Sequence, residues 1–370
     1  MEYASAKCGL RLVKIEGKPY EMGVQRGKKV GDLIRKRLEI YRRSGREAEV
    51  VELCERCEQA IQEKFPEIIE EFRGIADGSG VSYNELRNFA FQDSAYKYET
   101  GSAVECSSFA ATKEATADGH PIITKNADLA PRMSADDTVI VYAKPHGRNR
   151  YIAVSAWPEW VAGPDGMNEK GLALAGSGVN PIDADEALSQ DSRIGIPLYF
   201  LQSVIYSNCG DVNEAVEYLK LTPKGCGYGR NLNLVDMKGN LLKAEISYNK
   251  VNFLWPYQSA SHPTNGFFAG TGHFCSKDMN KLGPSPEKYS GSYRRFDRLM
   301  SLLSRSAGSI DFDLARAIMK DHSNGPSDAS ICRHSSVTNT LGSMVMQPAY
   351  LRTWILKGRP CENSYEPFDL

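Results

Sequence analysis

Cys106 is the residue whose type and position most directly predict chemistry in this chain. It opens a strand-like run, and the next strand-like run ends in Asn126 and Asp128. The thiolate is the nucleophilic form of cysteine, but an ordinary thiol is mostly protonated at neutral pH and needs a base. The α-amine of Cys106, with a reference pKa of about 8, becomes available as that base if the bond after Glu105 is cut. The pattern therefore predicts a cysteine nucleophile that self-cleavage places at a new N-terminus.

Asn126 and Asp128 are the predicted partners of that amine. Their i, i+2 spacing directs both side chains to the same face of a strand. Asp128 can accept a hydrogen bond from the new amine, and Asn126 can bridge to it, in a site that must also stabilise an oxyanion. A purely structural role stays open, because buried cysteines behave as small hydrophobic residues and Asn-x-Asp is common at strand ends.

The segment before Cys106, residues 1–105, is predicted to be helical. A first helix is predicted to open at Gly17-Lys-Pro-Tyr20, where proline suits the first turn. A second is predicted from about Glu47 to Phe72, continuing or restarting after Pro66. The capping box Ser82-Tyr-Asn-Glu85 predicts the start of a third, which extends toward Tyr96.

Residues 106–370 consist mostly of short β-branched and apolar runs between Gly, Asn and Asp turns. The predicted strands cover 108–112, 120–125, 138–143, 151–155, 171–175, 231–235, 241–246, 251–254, 343–346 and 351–356, and the predicted helices cover 197–206, 212–221 and about 293–319. Antiparallel strands with grouped helices predict an α+β fold built in layers.

Composition excludes several classes of function. The chain has 370 residues, 41% hydrophobic and 25% charged, with a formal net charge of −1, which is typical of a globular protein. No basic stretch indicates a nucleic-acid partner, and no apolar run is long enough to span a membrane. The N-terminal residues lack the pattern of a secretory signal, so the expected location is cytoplasmic.

The sequence gives little support for a metal, disulfide or phosphate site. Nine cysteines, an odd number, are scattered along the chain, which argues against a disulfide framework. Cys54 and Cys57 have CxxC spacing but lie in a helical pattern without a second pair, and His322 and His334 form no His-x-x-x-His motif. The Gly-rich stretch 225–229 lacks the Lys-Ser/Thr of a P-loop. We therefore expect no metal and no cofactor.

The order of short motifs along nearly the whole chain resembles the acyl-coenzyme A:6-aminopenicillanic-acid acyltransferase family of N-terminal-nucleophile hydrolases. The motifs that carry this resemblance are Gly17-x-Pro-Tyr-Glu-x-Gly23-x-x-x-Gly27, Phe65-Pro-Glu67, Glu71-Phe-Arg-Gly74-Ile-Ala76, Cys106-Ser-Ser108, Asn126-Ala-Asp128, Asp321-His322, Ser330-Ile-Cys-Arg333-His334 and Gly358-Arg-Pro-Cys361. Each motif is short, but their order and spacing together are specific.

The resemblance implies a four-layer αββα sandwich, in which two antiparallel sheets lie face to face with helices outside. It implies self-cleavage into residues 1–105 and 106–370, which remain partners. The implied reaction is hydrolysis of a small acyl amide, or acyl transfer, through an acyl-cysteine, with a coenzyme A thioester as a candidate co-substrate. Asp128 would take the catalytic aspartate role and Arg333 would lie near the nucleophile, although Arg333 alone fits a structural ion pair.

Two positions depart from the family pattern. Gly272 stands where the family typically has an asparagine whose side chain contributes to the oxyanion hole. Losing one such donor can cost about 3 kcal/mol, so the backbone N–H of Gly272, or His273, is the candidate replacement. Glu105 stands before the nucleophile, where small residues are common.

Several activities fit the resemblance. A hydrolase of small N-acyl amines or peptides is favoured, because penicillin-type transfer is specialised. The alternatives are a hydrolase of β-alanyl amines or of linear bile-salt-type and ceramide-type amides, and, from another class, an unprocessed inactive homologue that acts as a binding protein. Trp157, Trp160 and Tyr228 are candidates for the pocket lining, although packing explains each more simply. The stretch 163–171 predicts a hairpin turn leading into a strand.

Overall fold

Two β-sheets packed face to face form the middle of the protein, and helices cover their outer faces. The computed structural model describes residues 9–44, 47–91, 106–130, 133–182, 194–221, 229–248, 250–256, 265–323 and 325–370. The α-helices in these ranges are α1 (Pro19–Ser44), α2 (Glu47–Lys64), α3 (Pro66–Ser79), α4 (Tyr83–Phe91), α5 (Leu198–Asn208), α6 (Val212–Leu221), α7 (Ser290–Ser306) and α8 (Phe312–Met319). The strands are β1 (Arg11–Gly17), β2 (Ser107–Ala111), β3 (Ile122–Leu129), β4 (Val139–Pro145), β5 (Tyr151–Ser155), β6 (Asp165–Asn168), β7 (Ala173–Val179), β8 (Gly229–Val235), β9 (Leu241–Ile246), β10 (Val251–Leu254), β11 (Phe267–Gly270), β12 (Asn339–Gln347), β13 (Arg352–Lys357) and β14 (Glu366–Asp369).

The first sheet has eight strands in the order β1-β4-β5-β6-β7-β8-β9-β10, and the second has six in the order β11-β2-β3-β12-β13-β14. Neighbouring strands run antiparallel except β1 and β4, which are parallel. The predicted α+β class is therefore confirmed.

Three apolar clusters separate the layers. The first packs α1 to α6 on the outer face of the eight-stranded sheet and includes Phe72 of α3 and Val141 of β4. The second lies between the sheets and includes Ile123 of β3 and Ile152 of β5. The third packs α7 and α8, for example through Leu299, on the outer face of the six-stranded sheet. This order of layers is the predicted αββα sandwich.

The N-terminal segment contains a strand as well as helices. Its first element, β1, pairs in parallel with β4, with Val13 opposite Val141, so this segment supplies an edge strand of the eight-stranded sheet. The sequence prediction missed β1, and it also missed the four-residue strands β6, β11 and β14, which are too short to show a clear alternation. The predicted turn in 163–171 is present at Asn168 to Gly171, between β6 and β7. The predicted division between residues 105 and 106 stays a prediction, because residue 105 lies outside the described ranges.

Glycines let α1 and α3 approach closely. A Cβ atom on Gly23 or Gly27 of α1 would collide with the backbone of α3, and one on Gly74 or Gly78 of α3 would collide with the backbone of α1. The glycines of the first and second family-like helix motifs therefore serve this helix contact. Among the described residues, no helix is both long and apolar enough to cross a membrane.

Candidate active site

The pairing of β2 with β3 places Cys106 beside Asp128. In this antiparallel pair Ser107 lies opposite Asn126, so Cys106 sits one step before the start of β2 and faces the end of β3. The Cys106 side chain is buried, and the backbone N–H of Asp128 lies close enough to act on its thiol. Burial raises the pKa of the Cys106 thiol, while the Lys125 ammonium and the Asp128 N–H act in the opposite direction. Glu105, on the other side of the predicted cut, lies outside the described residues.

Alternation along β3 sends its polar side chains to two different layers. Ile123 belongs to the cluster between the sheets and Ile122 to the cluster under α7 and α8. Lys125 therefore points between the sheets, and Asn126 and Asp128 point toward the helices. The predicted common face of Asn126 and Asp128 is confirmed, and Lys125, which the sequence prediction omitted, shares the cavity with the thiol.

Asn126 is held by structural hydrogen bonds. Its Nδ2 donates to the carbonyl oxygens of Met319 and Ile331, both at 2.9 Å. Its Oδ1 accepts from Ser343 Oγ at 2.6 Å. Both amide protons are used in this way, so Asn126 ties β3 to α8 and to the segment before β12. We assign it a positioning role in place of the predicted bridge to the amine.

Asp128 is completely buried, and one of its carboxylate oxygens accepts no hydrogen bond from the described residues. Its Oδ1 accepts from Thr340 Oγ1 at 2.6 Å, whereas its Oδ2 is buried and has no hydrogen-bond partner among the described residues. Burial raises the pKa of this carboxyl to about 6, against the opposing effect of Arg333 and Arg295. A buried carboxylate oxygen without a donor is costly, so Asp128 is prepared to accept a proton or an N–H group.

Arg333 and Arg295 both lie near Asp128, and both contact Asp328 in the loop before β12. The Arg333 guanidinium pairs with the Asp328 carboxylate, and Arg295 Nη1 donates to the Asp328 backbone carbonyl at 2.8 Å. Both guanidinium groups act on the Asp128 carboxyl. Arg333 therefore makes a structural ion pair and lies near Asp128, its predicted position near the nucleophile stays a prediction, and Arg295 is a neighbour that the sequence prediction missed.

A buried charge cluster flanks the thiol on the side between the sheets. The Lys125 ammonium pairs with the Asp165 carboxylate, and Arg230 Nη2 pairs with the same carboxylate at 2.7 Å. The backbone N–H of Gly176 also donates to Asp165, at 2.9 Å. Because two cations share one carboxylate, the cluster has a net positive charge, which favours the thiolate form of Cys106.

The segment 271–273 lies where the expected oxyanion donor would be. The segment directly follows β11, whose last residue Gly270 pairs with Ser108 of β2, two residues after Cys106. Asn231 of β8 fixes the segment, since its Nδ2 donates to the carbonyls of Thr271 and His273 at 2.8 and 2.7 Å. The location is compatible with a backbone donor at Gly272, whose oxyanion role stays a prediction.

His273 is a buried neutral imidazole. Its Nδ1 lies 2.8 Å from Ser292 Oγ and 3.2 Å from Thr271 Oγ1, and its ring stacks on Tyr293 with centroids 3.6 Å apart. Burial lowers the pKa of His273 to about 3, with Lys243 and Arg295 adding to the effect. His273 therefore carries no positive charge near neutral pH, and its predicted oxyanion role would require a neutral N–H.

A mostly apolar cavity adjoins Cys106. Its lining includes Cys106, Lys125, Leu129, Val154, Trp157 and Met344. Trp157 thus lines the cavity, although packing was the simpler interpretation of this residue from the sequence. Trp160 stacks on Tyr199 with ring centroids 3.8 Å apart and belongs to the helix-side core, and Tyr228 lies outside the described residues.

Family membership can be assigned once this geometry is known. The family model of acyl-coenzyme A:6-aminopenicillanic acid acyl-transferase matches residues 115–362, about two thirds of the 370 residues. The chain belongs to this acyl-transferase family. The matched range contains Asn126, Asp128, Gly272 and Arg333 but begins after Cys106. Membership confirms the resemblance drawn from the motifs.

The individual relatives share little sequence identity with this member of the acyl-transferase family. An uncharacterized protein of Archaeoglobus fulgidus is 23% identical over 390 residues, which cover 95% of this chain and 64% of the relative. The chain thus spans less than two thirds of that relative's length. A mutant conjugated bile acid hydrolase from Clostridium perfringens is 15% identical, with a TM-score of 0.44 over 71% of this chain and 92% of that one. Penicillin V acylase from Agrobacterium tumefaciens is 14% identical, with a TM-score of 0.41 over 68% and 83%.

The sequence prediction missed the groups that approach Cys106 from other strands. Ser177 of β7 donates through Oγ to the Cys106 carbonyl at 2.8 Å, and Asp165 and Arg230 complete the cluster around Lys125. Charged residues within otherwise buried strands were the available signal, because such groups are rarely buried without partners. Lys125, immediately before the Asn-x-Asp motif, carried that signal most clearly.

Replacing Lys125 tests the electrostatic support of the thiol. Lys125→Met removes the cation and leaves Asp165 paired with Arg230, so we expect the pKa of Cys106 to rise further above its usual value. The rate of Cys106 modification by a small methanethiosulfonate reagent, followed by peptide mapping, should then shift to higher pH. Lys125→Arg should keep most of the wild-type profile. An unchanged profile in Lys125→Met would show that Lys125 does not act on the thiol.

Proposed function

We propose that the protein is a self-processing cysteine N-terminal-nucleophile enzyme, with Cys106 as nucleophile, that hydrolyses a small acyl amide or transfers its acyl group. The observation that carries the proposal is the pairing of β2 with β3, which sets Cys106 beside Asp128, a buried carboxylate with one oxygen for which the described residues offer no hydrogen-bond donor. The nucleophile and the candidate proton acceptor therefore lie on adjacent strands, where β2 begins and β3 ends. Family membership supports acyl chemistry at this site.

The first reaction is the cut after Glu105. The Cys106 sulfur attacks the Glu105 carbonyl carbon, the carbon–nitrogen bond breaks, and the thiol proton ends on the Cys106 nitrogen. The product is a thioester between the two chains. Water hydrolyses it, which gives Glu105 a carboxylate and leaves Cys106 with a free thiol and a free α-amine.

The intact chain needs a different base from the processed one, because the Cys106 nitrogen is still part of a peptide bond. Asp128 is the carboxylate that acts most strongly on the thiol, and its pKa of about 6 lets it accept a proton at neutral pH and return it. After the cut, its Oδ2 can accept from the new α-ammonium. In the intact chain, Asp128 thus serves as base, and in the processed one it orients the amine.

Turnover of substrate repeats the same acyl transfer. The amine of Cys106 takes the thiol proton, the sulfur attacks the acyl carbon, and the proton passes to the departing amine or thiol. Water or an acceptor amine then releases the acyl group from the acyl-cysteine. We assign oxyanion stabilisation to the backbone N–H of Gly272, in the segment that Asn231 fixes.

The cavity next to Cys106 favours an apolar acyl group. Leu129, Val154 and Trp157 offer apolar contacts, and Lys125 is the cation within reach. An acyl amide with an apolar acyl part fits this lining, and a coenzyme A thioester is a co-substrate compatible with the same acyl-cysteine. The catalytic groups in every step belong to the chain itself.

Self-cleavage can be measured directly on the full chain. Intact-mass spectrometry during incubation at neutral pH should resolve two products, one ending at Glu105 and one beginning at Cys106. Cys106→Ala should remain a single chain, because the sulfur nucleophile is absent. Cys57→Ala, a buried cysteine of α2 far from the site in sequence, should be cut like the wild type. A wild-type chain that stays at full length after prolonged incubation would refute the proposal.

The pH dependence of self-cleavage tests the role of Asp128. Burial raises its folded-state pKa from the usual 3.8 to about 6, so the carboxylate is protonated and unable to act as base below about pH 6. The rate of cleavage should fall as the pH decreases through this value, about tenfold per unit once protonation dominates. Asp128→Asn should slow cleavage at neutral pH and abolish this limb, whereas the exposed Asp136→Asn should change neither. An acid limb that persists in Asp128→Asn would assign it to another group.

A further inference from the structure

Four side chains of metal-ligand type meet on the helix side of the six-stranded sheet, apart from the nucleophile. They are His322, Cys332, His334 and Cys361, and their ligand atoms all lie within 4.8 Å of one another. His322 follows α8, Cys332 and His334 precede β12, and Cys361 lies between β13 and β14. Two separate loops therefore converge on one point, the loop between α8 and β12 and the loop between β13 and β14.

The distances among three of the ligand atoms, those of Cys332, His334 and Cys361, match the edges of a tetrahedron around zinc. Zinc lies about 2.3 Å from thiolate sulfur and about 2.0–2.1 Å from imidazole nitrogen, so tetrahedral edges are about 3.8 Å for S–S and about 3.6 Å for S–N. Cys332 Sγ lies 3.6 Å from Cys361 Sγ. His334 Nε2 lies 3.7 Å from Cys332 Sγ and 3.4 Å from Cys361 Sγ.

Neither a disulfide nor simple side-chain packing accounts for the cluster as well as a metal does. A disulfide would need sulfur atoms about 2.05 Å apart, whereas Cys332 and Cys361 are free thiols. His322 Nε2 is buried and has no hydrogen-bond partner among the described residues, which is costly for a polar atom unless something binds it. The His322 ring lies 4.7 Å from the His334 ring, centroid to centroid, at an angle of 74°, so the two rings are not stacked.

We propose that His322, Cys332, His334 and Cys361 bind a zinc ion. Two thiolates and two imidazoles in a tetrahedral arrangement are a donor set that zinc prefers. Four protein ligands fill its coordination shell and leave no position for water or substrate, so the site is structural. The sequence prediction of no metal failed to anticipate this cluster, because its ligands are spread over two loops without a repeated pair.

The zinc ion would stabilise the loop that supports Asp128. Arg333 lies between the ligands Cys332 and His334, and its backbone N–H donates to Thr340 Oγ1 at 2.9 Å, the hydroxyl that in turn donates to Asp128. Ile331, next to Cys332, accepts a hydrogen bond from Asn126. The metal would therefore hold together the wall against which β3 places Asn126 and Asp128.

Metal analysis of the purified full chain tests this site without measuring activity. Elemental mass spectrometry of protein prepared without chelator should find about one zinc per chain. Cys332→Ser and Cys361→Ser should each lose most of it, because a tetrahedral site with three ligands binds weakly. Cys57→Ser changes the CxxC pair of α2 and Cys106→Ala changes the nucleophile, so both should retain the zinc.

Cobalt replacement keeps the test decisive if the ligand variants fold poorly. Wild-type protein produced or refolded with Co²⁺ should show the thiolate-to-cobalt charge-transfer band and the strong visible bands of tetrahedral coordination. His322→Ala, which keeps three ligands, should weaken or alter these bands. Wild-type protein that contains no zinc and gives no such cobalt spectrum would overturn the proposal. So would a Cys332–Cys361 disulfide in freshly purified protein, or full zinc content in Cys332→Ser.

Discussion

The antiparallel pairing of β2 with β3 is the constraint on which the rest of the site depends. Because Ser107 lies opposite Asn126, the thiol of Cys106 lies near the backbone N–H of Asp128. The same pairing sorts the side chains of β3 by layer, with Lys125 between the sheets beside the thiol and Asp128 under the helices. A slip of one residue would exchange these faces, so the chemistry depends on register as much as on residue type.

Buried charge is balanced separately on the two sides of β3. Between the sheets, Lys125 and Arg230 share Asp165, and the excess positive charge favours a thiolate. Under the helices, Arg295 and Arg333 compensate Asp128, yet one oxygen of its carboxylate has no donor among the described residues. Leaving a buried carboxylate incompletely satisfied costs stability, and such cost is typical of functional sites. The proposed zinc ion would anchor the loop that carries Arg333 and so help to maintain this arrangement.

The sequence predicted the parts of the fold and site that depend on local pattern. The strand period places Asn126 and Asp128 on one face, and the motif order identifies the family and the layered fold. The residues and elements that the sequence did not predict depend on contacts between distant segments. The partner of Lys125 lies on β6, the hydroxyl on the Cys106 carbonyl belongs to Ser177 of β7, and the four metal-type ligands converge from two loops. The edge strand β1 was also missed, because its pairing with β4 determines it more than its own composition does.

The most direct test of the central claim is to trap the acyl-enzyme. Purified protein is mixed with a small acyl thioester, quenched in acid, and examined by intact-mass spectrometry and peptide mapping. The account predicts a single acyl group on the sulfur of Cys106, in a chain whose N-terminal residue is Cys106. An acyl group on another residue, such as Cys275, or on an uncut chain would contradict it.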